Sequence, residues 1–247
     1  FDIIPWKIHE IFLMDAITYG AAFLIILFIK YQPLVKNEID KGNVLERLKN
    51  GIKFLKANPL IFIFGVCSYM IFTFLIVEMF VLVPSYVSNY LHSGGNVFAS
   101  SEVYYSIGAV LAGMSIRPIF NRFNTVFGII FLMLSTIIGC FLLTFTQSIG
   151  VFYAISLLIG ITNAGTRVLR ITYLFNHVPN NVIGRTGSVF NSISIVIRIF
   201  MIAAFSIPFF TIGENVKWGY IVGAVFLSIG LIPLIINYKK LVNLTKT

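Results

Sequence analysis

Seven long apolar runs, nearly free of charge, set the terms for any fold of this chain. They cover about Ile8–Ile29, Pro59–Val83, Tyr104–Phe120, Thr125–Phe145, Ile149–Ile171, Gly187–Phe210 and Trp218–Ile236. A bilayer core about 30 Å thick takes about 20 apolar residues of helix per crossing, and each run is near that length. Lipid offers backbone N–H and C=O groups no partner, so a spanning segment must satisfy them within itself or in a closed barrel. Barrel strands alternate apolar and polar residues, and these runs do not alternate. Composition agrees: 58% of residues are hydrophobic, 11% are charged, and mean hydropathy is +0.93, whereas about a quarter of a soluble domain is charged. The expected fold class is an all-α membrane protein with seven transmembrane helices.

The formal net charge of +9 would suit a nucleic-acid partner if the cations were gathered on one surface, but they alternate along the chain. The connection Lys30–Asn58 holds seven Lys/Arg against three acids, and the next, Pro84–Glu102, holds no Lys or Arg. Arg117 and Arg122 follow the third run, "TQSIG" after the fourth has no cation, Arg185 follows the fifth, Lys217 alone follows the sixth, and the tail carries Lys239, Lys240 and Lys246. Such alternation is what the positive-inside rule demands. It predicts a chain that enters from outside and ends in the cytoplasm, with the bilayer rather than nucleic acid as its surroundings. The first residue is Phe1 and the first run lacks a basic flank and small-residue cleavage site, so a leader peptide is not expected and the sequence reads as part of a longer protein. Within the basic connection, Asn43 and Glu46 resemble a capping box, and Leu45, Leu48, Ile52 and Leu55 recur at helical spacing among Arg47, Lys49, Lys53 and Lys56. The expectation is an amphipathic helix lying on the cytoplasmic face, held by its apolar side and anionic lipid; a partner docking site is the alternative. The organisation expected is 1–30 as one helix, 31–58 as basic linker and 59–247 as a six-helix bundle.

Ionisable groups inside hydrocarbon are costly, by about 2.5–3.5 kcal/mol at a helix centre, and normally face a bundle interior or wet cavity. Glu78 stands alone in "TFLIVEMFVLVPSYV". It is a candidate proton or cation site, against the alternative of a hydrogen-bonded structural carboxylate at the outer vestibule, about 30 Å along its helix from Pro59 and just before an exit turn at Pro84. Arg198 in "SISIVIRIFMI" is expected about 17 Å into its helix, near mid-depth, as an anion-binding group or one half of a packing ion pair. Arg167 and Arg170 share one helical face in "GTRVLRITY", as an inner gate or as positive-inside anchors. Asn163 is a candidate substrate contact or an interhelical hydrogen bond. Gly160, Ala164 and Gly165, with Gly108, Ala112 and Gly113, read as close helix packing. The fourth and seventh runs carry no ionisable residue, and Glu102 is expected just ahead of the third helix. The second and fifth runs hold equivalent places in two consecutive triplets, the arrangement of inverted repeats.

With one helix, a long basic connection and six further helices, the chain resembles the second half of a major facilitator superfamily transporter plus the last helix of its first half. The stretches "NPLIFIFGV", "VLVPSYVSNYL", "SIGAVLAGMSIRPIFNRF" and "VPNNVIGRTGSVFNSI" carry the resemblance. The last two are similar to the drug-efflux branch with macrolide-efflux and enterobactin-exporter-like proteins. Pro179, Gly184 and Arg185 match that branch's "P...GR" turn, while Gly113 and Arg122 match a degenerate Gly-rich basic motif. No Asp follows Gly113; Arg117 stands in that place. The resemblance implies a bundle of two inverted three-helix repeats, with the second, third, fifth and sixth runs facing a cavity and the others supporting. It implies a bacterial cytoplasmic-membrane transporter that moves a small molecule by alternating access, with protons as the coupling partner and a second, N-terminal half completing the cavity. Uptake by the same fold, or a scaffold without transport, are the alternatives.

No catalytic constellation is legible. His9, His92 and His177 lie near run ends on both sides of the expected membrane, so no shared metal site is expected. Cys67 and Cys140 have no CxxC or Cys/His spacing and read as buried small hydrophobes. A GxxxxGK[ST] loop is missing, so neither ATP nor another cofactor is expected.

Overall fold

The computed structural model describes residues 7–29, 44–120 and 124–244. Among the described residues every regular element is helical, and seven helices are long and apolar enough to cross a membrane. The chain divides into two compact units, residues 1–41 and 42–247. The first contains α1, Ile8–Phe28, where the Lys7 N–H donates to Glu10 Oε2 at 2.7 Å.

The second unit opens with α2, Val44–Ala57, and then α3, Pro59–Val77, which runs through a π-helical segment, Glu78–Leu82, into α4, Val83–Asn89. α5 spans Gly95–Phe120, α6 Thr125–Phe145, α7 Ile149–His177 and α8 Ile183–Phe205. A short α9, Pro208–Thr211, and a 3₁₀ turn, Gly213–Lys217, lead to α10, Trp218–Ile236, and α11, Tyr238–Val242. The limits of α6 and α10 are those the apolar runs predict.

Others differ: α7 runs on past Ile171 to His177, and three helices depart from their runs for a physical reason. Pro84 is no exit turn: the span continues unbroken from Pro59 to Asn89. In the π segment the Val83 N–H donates to Glu78 O, and Pro84, with no N–H to give, sits at the start of the following α-helical stretch. Glu78 therefore lies eleven residues inside the span's end. α5 starts at Gly95 rather than Tyr104, because burial of Val97 and Ser101 outweighs the polar look of "GNVFASSE". α8 starts at Ile183 and ends at Phe205, so Gly184 and Arg185 form part of its first turn instead of a preceding loop.

The six spans of this unit pair in a symmetric set. α3 packs on α8 and α5 on α7; α3 packs on α10 and α6 on α7; α3 meets α7, and α6 meets α10. Exchanging the triplets, α3 for α7, α5 for α8 and α6 for α10, turns each of these pairs into itself or into another of the set. An odd number of crossings per triplet makes the repeats inverted. The α5–α7 crossing is the tightest: a Cβ on Gly108 would strike the Leu157 carbonyl oxygen, and one on Gly160 the Tyr105 carbonyl oxygen. Buried hydroxyls bridge two of the other pairs, Thr73 to Ser194 at 2.7 Å between α3 and α8 and Thr136 to Thr162 at 2.9 Å between α6 and α7.

The amphipathic helix forms where periodicity places it, but its apolar side covers protein. α2 packs on α8 and α3, Leu55 is buried, and Gly51 lies so close that a Cβ would stand 2.8 Å from the Arg185 carbonyl oxygen. Lys49, Lys53 and Lys56 stay exposed. Asn43 and the side chains of Leu45 and Arg47 lie outside the described residues.

Candidate functional site

Glu78 is 5% exposed and opens the π segment. A single extra residue in a helical turn rotates the remainder of the helix by about 100°, so this segment resets which side chains of the span face inward. The Glu78 carboxylate accepts a hydrogen bond from the Tyr220 hydroxyl at 3.2 Å, and Tyr220, on α10, is itself fully buried and packed edge-on against Tyr86. Among the described residues no Lys, Arg or His forms an ion pair with Glu78.

Beside it lies a cavity of about 130 Å³ walled by α3, the π segment, α4, α5 and α7. Its polar lining is Glu78, Ser101, Glu102, Tyr105, Ser156 and Asn163. Asn163 Nδ2 donates to the Tyr105 hydroxyl at 2.7 Å, which joins α7 to α5 across the wall. Two carboxylates from different helices thus face one small, mostly apolar space. Glu102 belongs to this site because α5 begins two turns before the apolar pattern does, and Tyr220 reaches Glu78 from a helix expected only to support. The one sequence signal for Glu102 is its position three residues ahead of Tyr105, on the same helical face.

The arginines part company. Arg170 is 4% exposed: its guanidinium lies 3.8 Å from the centre of the Tyr69 ring, and Nη1 donates to the Ser68 carbonyl at 3.0 Å. Burial on this scale is not that of a membrane-surface anchor. Arg167, one turn earlier, is exposed, so the pair does not act as one face. Arg198 is partly buried with its guanidinium 5.8 Å from the centre of the Phe72 ring, at the level of Arg170, whose guanidinium is 6.0 Å from the same ring. Glu78 and Arg198 are not ion-paired, as their expected separation in depth implies.

Of the glycines and cations in the loop motifs, Gly113 and Gly184 have open space where a Cβ would be, so neither is a packing contact. Gly165, by contrast, faces Ile116 and Leu132. The Arg117 side chain and Arg122 lie outside the described residues. Cys67 and Cys140 are free and buried.

Apolar spans enclosing a few polar side chains in an inverted six-helix unit define a polytopic α-helical membrane protein. The family model of the Major Facilitator Superfamily matches residues 3–202, and the chain belongs to that superfamily. It is accordingly assigned to the secondary transporters. No curated protein matches the chain.

Proposed function

We propose that this chain is the C-terminal part, helices six to twelve, of a proton-coupled efflux transporter for a small molecule, working by alternating access. Residues 1–30 are then the last helix of the N-terminal half, 31–58 the linker, and 59–247 the C-terminal bundle. On this reading the protein sits in the bacterial cytoplasmic membrane with its C-terminus in the cytoplasm, and its missing half closes the cavity from the other side. The observation that carries the reading is Glu78, buried with one neutral hydrogen-bond donor and beside a cavity that Glu102 shares. A carboxylate withdrawn from water needs a compensating charge. Since no protein cation pairs with Glu78 among the described residues, a proton supplies it, and uptake and release of that proton as the halves alternate couples the gradient to transport. Asn163 and Tyr105 line the same path.

Glu78→Gln in the intact transporter tests this. The amide keeps an oxygen for the Tyr220 hydroxyl and so keeps the fold, but it cannot cycle a proton. Efflux from cells should become insensitive to an imposed pH gradient and to an uncoupler. Efflux that tracks pH unchanged removes Glu78 from coupling, and accumulation that falls on adding the uncoupler makes the protein an uptake system.

A further inference from the structure

We propose that Arg198 and Arg170 form a site for the carboxylate of an organic anion, and that this carboxylate is the head group of the transported molecule. This rests on the transporter reading above and names its cargo's class. Two guanidiniums, one from α7 and one from α8, lie 6.0 and 5.8 Å from the centre of the Phe72 ring of α3, and among the described residues neither has an acidic partner. Arg170 is compensated only in part. A backbone carbonyl and the face of Tyr69 take up one side of its guanidinium, while its Nε is buried with no hydrogen-bond partner. Neutral acceptors and ring faces stabilise a desolvated cation without neutralising it.

Arg198 is the freer of the two, with the Phe72 ring as its neighbour, and it is the group that takes the carboxylate; a guanidinium fork matches two carboxylate oxygens. Arg170 adds a second positive charge, 6.0 Å from the centre of the same ring. Phe72 also lines the cavity beside Glu78, together with Leu75, Ile76 and Met79. An anion seated at Arg198 thus finds apolar wall for its hydrocarbon body on the cavity side of the ring.

The test is ligand-dependent thermal unfolding of the full-length transporter purified in detergent. Benzoate is the probe, benzyltrimethylammonium and benzyl alcohol are the cationic and neutral counterparts, and inorganic phosphate is the second anion. Benzoate should raise the melting temperature saturably while the counterparts and phosphate do not. Arg198→Gln should weaken the benzoate dissociation constant about tenfold or more, the loss of one charge-assisted pair. Arg198→Lys, which keeps the charge and loses the fork, should fall between. The proposal fails if benzoate gives no specific shift, if Arg198→Gln and Arg198→Lys both bind it as wild type does, or if phosphate protects and benzoate does not. It also fails if phosphatidylglycerol nanodiscs abolish the benzoate response, which would make this a lipid head-group site. Glu78→Gln should retain the benzoate response. Benzoate binding with pH-driven efflux intact in Glu78→Gln would sink the coupling reading alone, and uncoupled efflux in that variant without benzoate binding would sink the anion site alone.

Discussion

Tyr220 is the side chain on which the state of Glu78 turns. Its hydroxyl is the acid's hydrogen-bond donor at 3.2 Å, while its ring is held by Tyr86. Tyr220→Phe removes the donor and leaves the ring. A buried hydrogen bond contributes about 1 kcal/mol net, and one to a charged group about 1.5–3 kcal/mol. In a double-mutant cycle with Glu78→Leu, read by thermal or denaturant unfolding, the two changes should be non-additive by about 1 kcal/mol or more; additivity would mean the two groups do not act together. The isolation of Glu78 was plain from the sequence, because one acid in a long apolar run has few meanings. Tyr220 was not, because a Tyr in such a run reads as one more large side chain until a partner stands opposite it. Arg170 shows the same limit, since spacing puts it on a face with Arg167 and only packing decides that one is buried and the other exposed.

At the level of the helix, apolar length located every span and both ends of α6 and α10, whereas the start of α5 was set by tertiary burial. Nothing in "EMFVL" announces a π segment; the hydrogen bond from Val83 to Glu78 and the missing N–H of Pro84 make it. Small residues were the more legible signal, although spacing alone does not say which of them touch. Gly160 faces the Tyr105 carbonyl oxygen, and Gly184 faces open space. Gly160→Val should therefore push α7 off α5 and displace both walls of the Glu102 cavity. The expected outcome is loss of the monodisperse detergent-solubilised protein, or a fall of several degrees in melting temperature. Gly184→Ala, in the first turn of α8, should be neutral or stabilising by up to about 1 kcal/mol, the propensity difference between the two residues. Equal effects at the two sites would show that the crossing is looser than the carbonyl contact implies.

The molecule as a whole is organised by the exchange of its two triplets, which needs no sequence identity between them: contact pairs match although α3 and α7 share no visible pattern. Charge placement and helix count revealed this architecture because insertion into a bilayer acts on both. The position of α2 was not so revealed, since amphipathicity states that one side must be covered without saying by what. Lipid and protein predict opposite responses at Gly51. If lipid covered that side, Gly51→Leu would add apolar area and helix propensity and would slow tryptic cleavage at Lys49, Lys53 and Lys56. With α8 against it, the leucine meets the Arg185 carbonyl oxygen and the Val189 side chain, and α2 is forced off the bundle. Cleavage of the intact transporter in membranes at those three exposed lysines should accelerate severalfold, while Gly51→Ala, which adds one carbon at the same contact, should give an intermediate rate. Faster cleavage fixes α2 as a rigid extension of the C-terminal bundle, so that any rocking of this half carries the end of the basic linker with it.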